Sequence, residues 1–290
     1  MFDRFRRSWA LVRQSWGILK VEKGLVLFPI VSAAASLAAL ASFVVPIAMS
    51  IDWDKAGGEG QSFEEQLQPW HYAASFAFYF ASFFITTFFN AGLIACVNER
   101  LEGRDTNVAF GIRAAFARIP QILAWTLLSA TVGMVLNMVA ERVGWLGQLI
   151  IRLIGTAWTI ATFFAVPVLV AEGVGPVEAV KRSMAALRKT WGEAAITTVG
   201  FGAVTIPLVL IWLLATLGSG IALSIAVDSG IPLVVGVSLA VLGLIVLCVI
   251  MSTMSVIVQA ALYKYAVTGA VSGGFDETQF RGAFAPKPGR

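Results

Sequence analysis

The sequence predicts an all-α integral membrane protein. Its six transmembrane helices form three hairpins, each headed by a basic amphipathic interfacial helix, and both termini are cytoplasmic. Three observations predict it. Of 290 residues, 58% are apolar and only 13% charged, against a soluble norm of roughly 25% charged. The apolar residues gather into six runs long enough to cross a bilayer core, which takes about 20 residues. Basic residues collect between alternate runs: 18 of the 21 Lys and Arg fall in 1–23, 98–120, 172–191 and from Lys264 onward. Lys55, Arg142 and Arg152 are left for the other side. That asymmetry assigns the basic side to the cytoplasm. It also accounts for the formal net charge of +4 without a nucleic-acid partner.

The elements follow in order, in a single six-helix domain over 1–267. Residues 1–23 carry Phe5, Trp9, Val12, Trp16 and Leu19 at helical spacing, with Arg7 and Arg13 off that stripe. An apolar stripe with Trp on a basic helix is the pattern of a helix lying in the membrane interface. The first span is 25–51, where Ser32/Ser36 and Ala35/Ala39 have the small-xxx-small spacing that lets helices approach closely. The connection that follows holds five acidic residues, Asp52, Asp54, Glu59, Glu64 and Glu65, and one basic residue, Lys55. The second span is 70–97. His71 stands at its mouth between Trp70 and Tyr72 and reads as a polar member of an aromatic belt. Asn90 lies deeper.

In 98–120, Glu99, Glu102 and Asp105 read as a solvated loop. Thr106 is a candidate N-cap, and Val108, Ile112, Ala115 and Ile119 form a stripe flanked by Arg113 and Arg118. The third span, 121–140, holds Asn137. Residues 144–152 read as a short outer connection anchored by Trp145. Arg152 is expected to snorkel to the outer interface or to pair with Glu141. The fourth span is 153–171. After it, Gly175 is a candidate N-cap, and Pro176 suits the first helical position. Val177, Val180, Met184, Leu187 and Trp191 form the apolar stripe of that helix. Lys181, Arg182, Arg188 and Lys189 lie off it, and Glu178 stands four residues before Arg182, where it can pair. The fifth span is 193–227, with Pro207 able to kink it. A turn at 228–230 leads to the sixth span, 231–266, which holds Gln259. Residues 268–290 are a cytoplasmic tail.

An internal repeat is readable. With a shift of 175, residues 7–17 match 182–192 at six of eleven positions, ending in Trp16-Gly17 and Trp191-Gly192. Glu102-Gly103, Ala109 and Arg118 match Glu172-Gly173, Ala179 and Arg188 at a shift of 70. Shared composition of interfacial helices is the competing explanation. A unit of one interfacial helix and two spans, used three times, would keep one orientation throughout.

Chemistry is not signalled. One histidine provides no histidine metal cluster. Cys96 and Cys248 lie in apolar runs and read as small buried hydrophobes. No enzyme activity, cofactor or metal is expected. Two functions of different class remain. One is a channel or transporter-like protein for a small solute or lipid, with Asn90, Asn137, Arg152 and Gln259 as a candidate polar path. The other is a non-conducting scaffold. Its lipid-interface residues, Arg7, Arg13, Trp16, Arg113, Arg118, Arg182, Arg188, Lys189 and Trp191, would organise anionic lipid or partner proteins. The expected partners are anionic membrane lipids and further copies of the chain or another membrane protein.

The run 164–173 (FAVPVLVAEG), followed by Pro176, Glu178-Ala179, Arg182-Ser183 and Trp191-Gly192, resembles a broad set of bacterial six-span inner-membrane proteins of unknown function. Some of these are similar to the membrane domain of glycerophosphodiester phosphodiesterases. The resemblance implies the six-span fold and a bacterial inner membrane. It implies no catalytic residues.

Overall fold

The structure is a computed structural model that describes residues 13–51, 68–189 and 191–269, with 191–204 described as helical backbone alone. The described residues are almost wholly helical and contain no strand. In chain order they are α1 (13–21), a 3-10 turn at Lys23–Val26, α2 (Leu27–Ser50), α3 (Pro69–Leu101), α4 (Val108–Ala117) and α5 (Ile119–Arg142). Then follow α6 (Trp145–Ala161), α7 (Ala165–Glu172), α8 (Pro176–Lys189), α9 (Trp191–Val227) and α10 (Ile231–Thr268). Six segments are long and apolar enough to cross a membrane: Lys23–Ser50, Pro69–Leu101, Ile119–Arg142, Trp145–Glu172, Thr205–Val227 and Ile231–Thr268. The chain is thus an all-helical, multi-pass membrane protein.

The fourth span departs from expectation twice. First, α6 begins at Trp145, so the stretch expected to be a connection is helical and Arg152 lies well inside it. Gly144 is its N-cap, and its carbonyl accepts the Gln148 N–H at 3.0 Å. Gln148 and Arg152 interrupt the hydropathy but not the backbone hydrogen bonds. Second, the span is broken: α6 stops at Ala161, a tight turn covers 162–164, and α7 starts at Ala165. Pro167 follows the turn closely: it has no N–H to give the Phe163 carbonyl, so an unbroken helix could not run through this point without a missing bond.

The chain divides into two compact units whose boundaries fall after the first residue of α2 and of α4 and inside α3 and α8. One comprises Phe28–Gly92 and Ala109–Met184; the other comprises Met1–Leu27, Leu93–Val108 and Ala185–Arg290.

In the first of these, α2, α3 and α4 meet where only glycine fits. A Cβ on Gly92 would stand 2.7 Å from the Phe28 ring and 3.0 Å from the Gly111 carbonyl oxygen. Phe88 meets Phe116 edge-on at 5.1 Å. Trp125 of α5 and Trp158 of α6 lie parallel, centroids 6.4 Å apart. The predicted small residues Ser32, Ala35, Ser36 and Ala39 lie on the half-buried face of α2. One turn further, Phe43 reaches Phe78 at 5.9 Å.

At the start of α3, His71 stands beside exposed Trp70 and Tyr72 but is itself only 4% exposed. Gln68 is the residue before Pro69, and its N–H donates to His71 Nδ1 at 2.9 Å. A side chain at the third helical position reaching back to the N-cap amide is the geometry of a capping box, here closed by an imidazole. Since Nδ1 accepts, Nε2 carries the hydrogen and donates to Ser50 Oγ at 2.8 Å. Ser50 Oγ in turn donates to the Ile47 carbonyl at 2.7 Å. The Trp70 ring stacks on the imidazole at 3.9 Å.

In the other unit, α9 and α10 pack through small residues. A Cβ on Gly236 would stand 2.8 Å from the Thr216 carbonyl oxygen and 3.0 Å from Gly220 Cα. Trp212 lies across Gly243, leaving no room for a side chain there, and its indole N–H donates to the Ala240 carbonyl at 3.3 Å. Close backbone approach through small residues is the usual means of helix association in lipid, where burial of apolar surface gives no advantage. Cys96 is buried, as expected, and its thiol reaches the Asn107 carbonyl at 3.4 Å. Cys248 is exposed on α10, contrary to the expectation that both cysteines are buried.

Gly236→Val is expected to destabilise the protein by about 1–3 kcal/mol through overpacking. Gly218→Ala, which meets nothing within 4 Å, is expected to be neutral or stabilising by up to about 1 kcal/mol. Thermal unfolding of both variants in detergent would check the contrast.

Candidate functional site

The basic helix α8 is built as its sequence prescribes at its start. The Gly175 carbonyl accepts the Ala179 N–H at 2.9 Å, and Pro176 is the first helical residue. Glu178 accepts a hydrogen bond from Arg182 Nε at 2.9 Å, the predicted pair. Arg182 also donates to Glu172. The two carboxylates, Glu178 first and Glu172 second, push the guanidinium pKa above its ordinary value. Arg182 stays charged, and its charge is offset by the two carboxylates.

The next residue repairs the broken span. Ser183 is 0% exposed. Its Oγ accepts the Phe164 N–H at 3.0 Å and donates to the Ala161 carbonyl at 2.7 Å. These two backbone groups flank the turn between α6 and α7. Gly173 ends α7 in the left-handed region, φ 65°. The Arg118 guanidinium lies against its Cα and leaves no space for a Cβ. Gln121 Nε2 donates to the Gly173 carbonyl at 3.3 Å. The Glu-Gly and Arg-Ser pairs of the sequence motif thus have structural tasks: ion pairing, a chain reversal and a patch on a helix break.

The buried face of α8 is rotated about a quarter-turn from the apolar stripe read from sequence. Ala179, Ser183, Ala186 and Leu187 are buried, while Val177 is 59% and Met184 38% exposed. Small residues take the packed side because they allow close approach; the larger apolar residues are left outside beside Lys181 and Arg188. α1 shows the same effect. Ser15, Ile18 and Leu19 are buried and Trp16 is 39% exposed, with Lys20 Nζ 5.8 Å over its ring. In α4 the buried residues are Gly111 and Ala115. Ile119 starts α5 instead, and α4 begins at Val108, two residues after the expected N-cap Thr106.

Of the predicted lipid-interface residues, Arg13, Arg113, Arg188 and Lys189 are exposed. None of them, nor Lys181, makes an ion pair among the described residues. Arg118 is half-buried against Gly173 and Arg182 is paired, so neither is a free surface charge. Arg7 and the side chain of Trp191 lie outside the described residues.

The candidate polar path is not assembled within either unit. Asn90, Asn137 and Arg152 belong to one unit and Gln259 to the other. Asn90 and Gln259 are half-buried, while Asn137 and Arg152 are exposed. Arg152 does not pair with Glu141, and neither side chain forms an ion pair among the described residues.

One charged cluster was missed by the solvated-loop reading of 98–105. Arg104 clasps Glu99 and Glu102, Lys264 reaches Glu102 at 3.3 Å, and Arg100 reaches Asp105 at 3.2 Å and Glu22 at 3.6 Å. The network links the end of α3 to the 3-10 turn and to α10. Burial works to raise the Glu102 pKa, but hydrogen bonds from Arg104 and Lys264 outweigh it and hold the carboxyl below its usual range. Charge spacing in sequence gave the acidic and basic residues but not the pairing of residue 102 with residue 264.

A family of unknown function, DUF6159, matches residues 70–274. The chain belongs to this family. No curated protein and no solved structure matches it. The DUF6159 region runs from the first turn of α3 past the end of α10, and so contains α8 with Gly173 and Ser183.

Ser183→Ala is expected to cost about 1–3 kcal/mol, because it removes the buried hydroxyl that accepts the Phe164 N–H and donates to the Ala161 carbonyl; Ser183→Thr tests whether a hydroxyl alone suffices. Chemical denaturation would measure both. For Glu102, the depressed carboxyl stabilises the fold above its unfolded pKa of about 4.5, and that contribution is lost as pH falls through the lower folded value. The unfolding temperature should therefore drop as pH falls below about 4.5, and Glu102→Gln should make the drop shallower.

Proposed function

We propose that this protein is a non-catalytic organiser of anionic lipid at the cytoplasmic face of a bacterial inner membrane. It crosses the membrane six times as three hairpins, each headed by a basic interfacial helix. One observation carries this reading: α8 packs on its own chain through Ala179, Ser183, Ala186 and Leu187, leaving Lys181, Arg188 and Lys189 exposed and unpaired among the described residues. Exposed Val177 and Met184 accompany them. The charge of Arg182 beside them is offset by two carboxylates. An anionic surface rewards the unpaired charges, and the acyl boundary takes the apolar residues.

One feature supports a repeated unit. Gly103 and Gly173, matched at the shift of 70, both adopt positive φ, 80° and 65°. The buried residues of α1 and α8, Ser15/Ile18/Leu19 and Ser183/Ala186/Leu187, share a spacing but stand seven residues out of register with the shift of 175. The match of Ala109 to Ala179 does not extend into the packing, since Ala109 is exposed and Ala179 buried. After the two glycines the helices begin out of step, at Val108 and Pro176.

The lipid reading predicts that Lys181→Gln/Arg188→Gln/Lys189→Gln, in nanodiscs of mixed zwitterionic and anionic phospholipid, retains fewer anionic lipids by native mass spectrometry. The expected loss of affinity is on the order of a hundredfold for three charges at the surface. Retention equal to that of the unaltered protein would refute the reading. Conduction is the second reading, favoured by the polar side of α6 alone. It predicts that Arg152→Leu changes solute flux into liposomes while the fold persists.

A further inference from the structure

α6 divides lengthwise into three sectors. Gly147, Ile151, Gly155 and Trp158 are half-buried, and Trp158 stacks on Trp125 of α5. Leu146, Leu149, Leu153 and Ile160 are exposed and apolar, as a lipid-facing sector requires. The third sector is polar and also exposed: Gln148, Arg152, Thr156 and Thr159. Their spacing of 4, 4 and 3 residues keeps them on one side of the helix.

Two of the four polar side chains are satisfied within α6. Thr156 donates to the Arg152 carbonyl at 2.8 Å and Thr159 to the Gly155 carbonyl at 3.0 Å. The Arg152 guanidinium and the Gln148 amide have no partner among the described residues. Arg152 lies seven residues in from Trp145, about 10 Å along the helix. Charged side chains within spans face protein or a water-filled cavity and not hydrocarbon. The clean separation of polar and apolar sectors marks the polar one as something other than lipid-facing surface.

We propose that this polar sector of α6 seats a second copy of the chain within the membrane, and that Arg152 pairs there with Glu141 of the neighbouring copy. Charge complementarity selects this occupant. Glu141 is exposed at the end of α5, beside the start of α6, and is itself unpaired among the described residues. Copies inserted in one orientation present Glu141 at the same membrane side as Arg152. The flanking Gly155 and the backbone-bonded threonines permit the close approach that helix pairs need. A lipid phosphate would hold the guanidinium by drawing it toward the headgroups. It would not account for a polar sector that runs from Gln148 to Thr159, about 17 Å along the axis. The inference goes beyond the lipid-surface reading and stands without it.

The experiment uses the full chain reconstituted at low density in liposomes, with copy number read by single-molecule photobleaching. The unaltered protein is expected in particles of two or more copies. Arg152→Leu should weaken association at least tenfold while its unfolding temperature stays near that of the unaltered protein. The exchange Arg152→Glu/Glu141→Arg should restore association, which a loss of fold in Arg152→Leu would not allow. A second arm replaces Cys96 and Cys248 with alanine and mixes Gln148→Cys copies with Glu141→Cys copies. A disulfide between differently tagged copies supports the interface. Single-copy particles, association of Arg152→Leu at the unaltered strength, failure of the charge exchange, or no disulfide between Gln148→Cys and Glu141→Cys copies would each overturn it.

Discussion

In hydrocarbon no water completes a hydrogen bond, so each backbone N–H and C=O of a span must find its partner within the protein. This requirement organises the molecule. It makes the spans helical, and it turns hydroxyl side chains back onto the preceding turn, as at Ser42, Thr126, Thr131 and Ser238. It also governs the one break among the described spans. The turn at 162–164 frees backbone groups in the fourth span, and Ser183, from another helix, takes one N–H and one carbonyl there. A hydroxyl suits this place because it can accept and donate at once.

Much of the architecture was legible. Composition gave the class, and apolar run length gave the six spans. The Gly175-Pro176 start of α8, the Glu178–Arg182 pair and the small-residue face of α2 followed from local rules. What was not legible shares one cause. Hydropathy ranks large apolar residues as buried, and Phe28, Phe164, Ile122 and Ile257 are, but several of the closest helix contacts are made by glycine, alanine and serine. Gly92, Gly111, Gly220, Gly236, Ala179 and Ser183 carry little hydropathy signal, yet they sit where helices touch. The same bias hid the start of α6, since Gln148 and Arg152 lower the running hydropathy without disturbing the helix. The bonds of His71 were not legible because one partner, Ser50, is 21 residues away. Of the candidate lipid-interface residues, Arg13, Arg113, Arg188 and Lys189 are exposed and make no ion pair among the described residues. Arg182 is exposed but held by two carboxylates, and Arg118 is half-buried against Gly173, neither of which local sequence rules separate from the rest.

The arginines thus fall into two populations that sequence alone does not separate. Arg100, Arg104 and Arg182 are held by carboxylates of their own chain. Arg13, Arg113, Arg152 and Arg188 have no such partner among the described residues. The first group joins segments distant in sequence, as Arg100 does with Glu22. The second group is available to the surroundings. Net charge understates this division, since the formal +4 sums paired and unpaired groups alike.

The imidazole of His71 ties the last turn of α2 directly to the first turn of α3, with one nitrogen accepting and the other donating. The two spans are therefore tied at that end by side chains at either edge of the connection, and not by chain continuity alone. A change at either Ser50 or His71 would act on the ends of both helices at once.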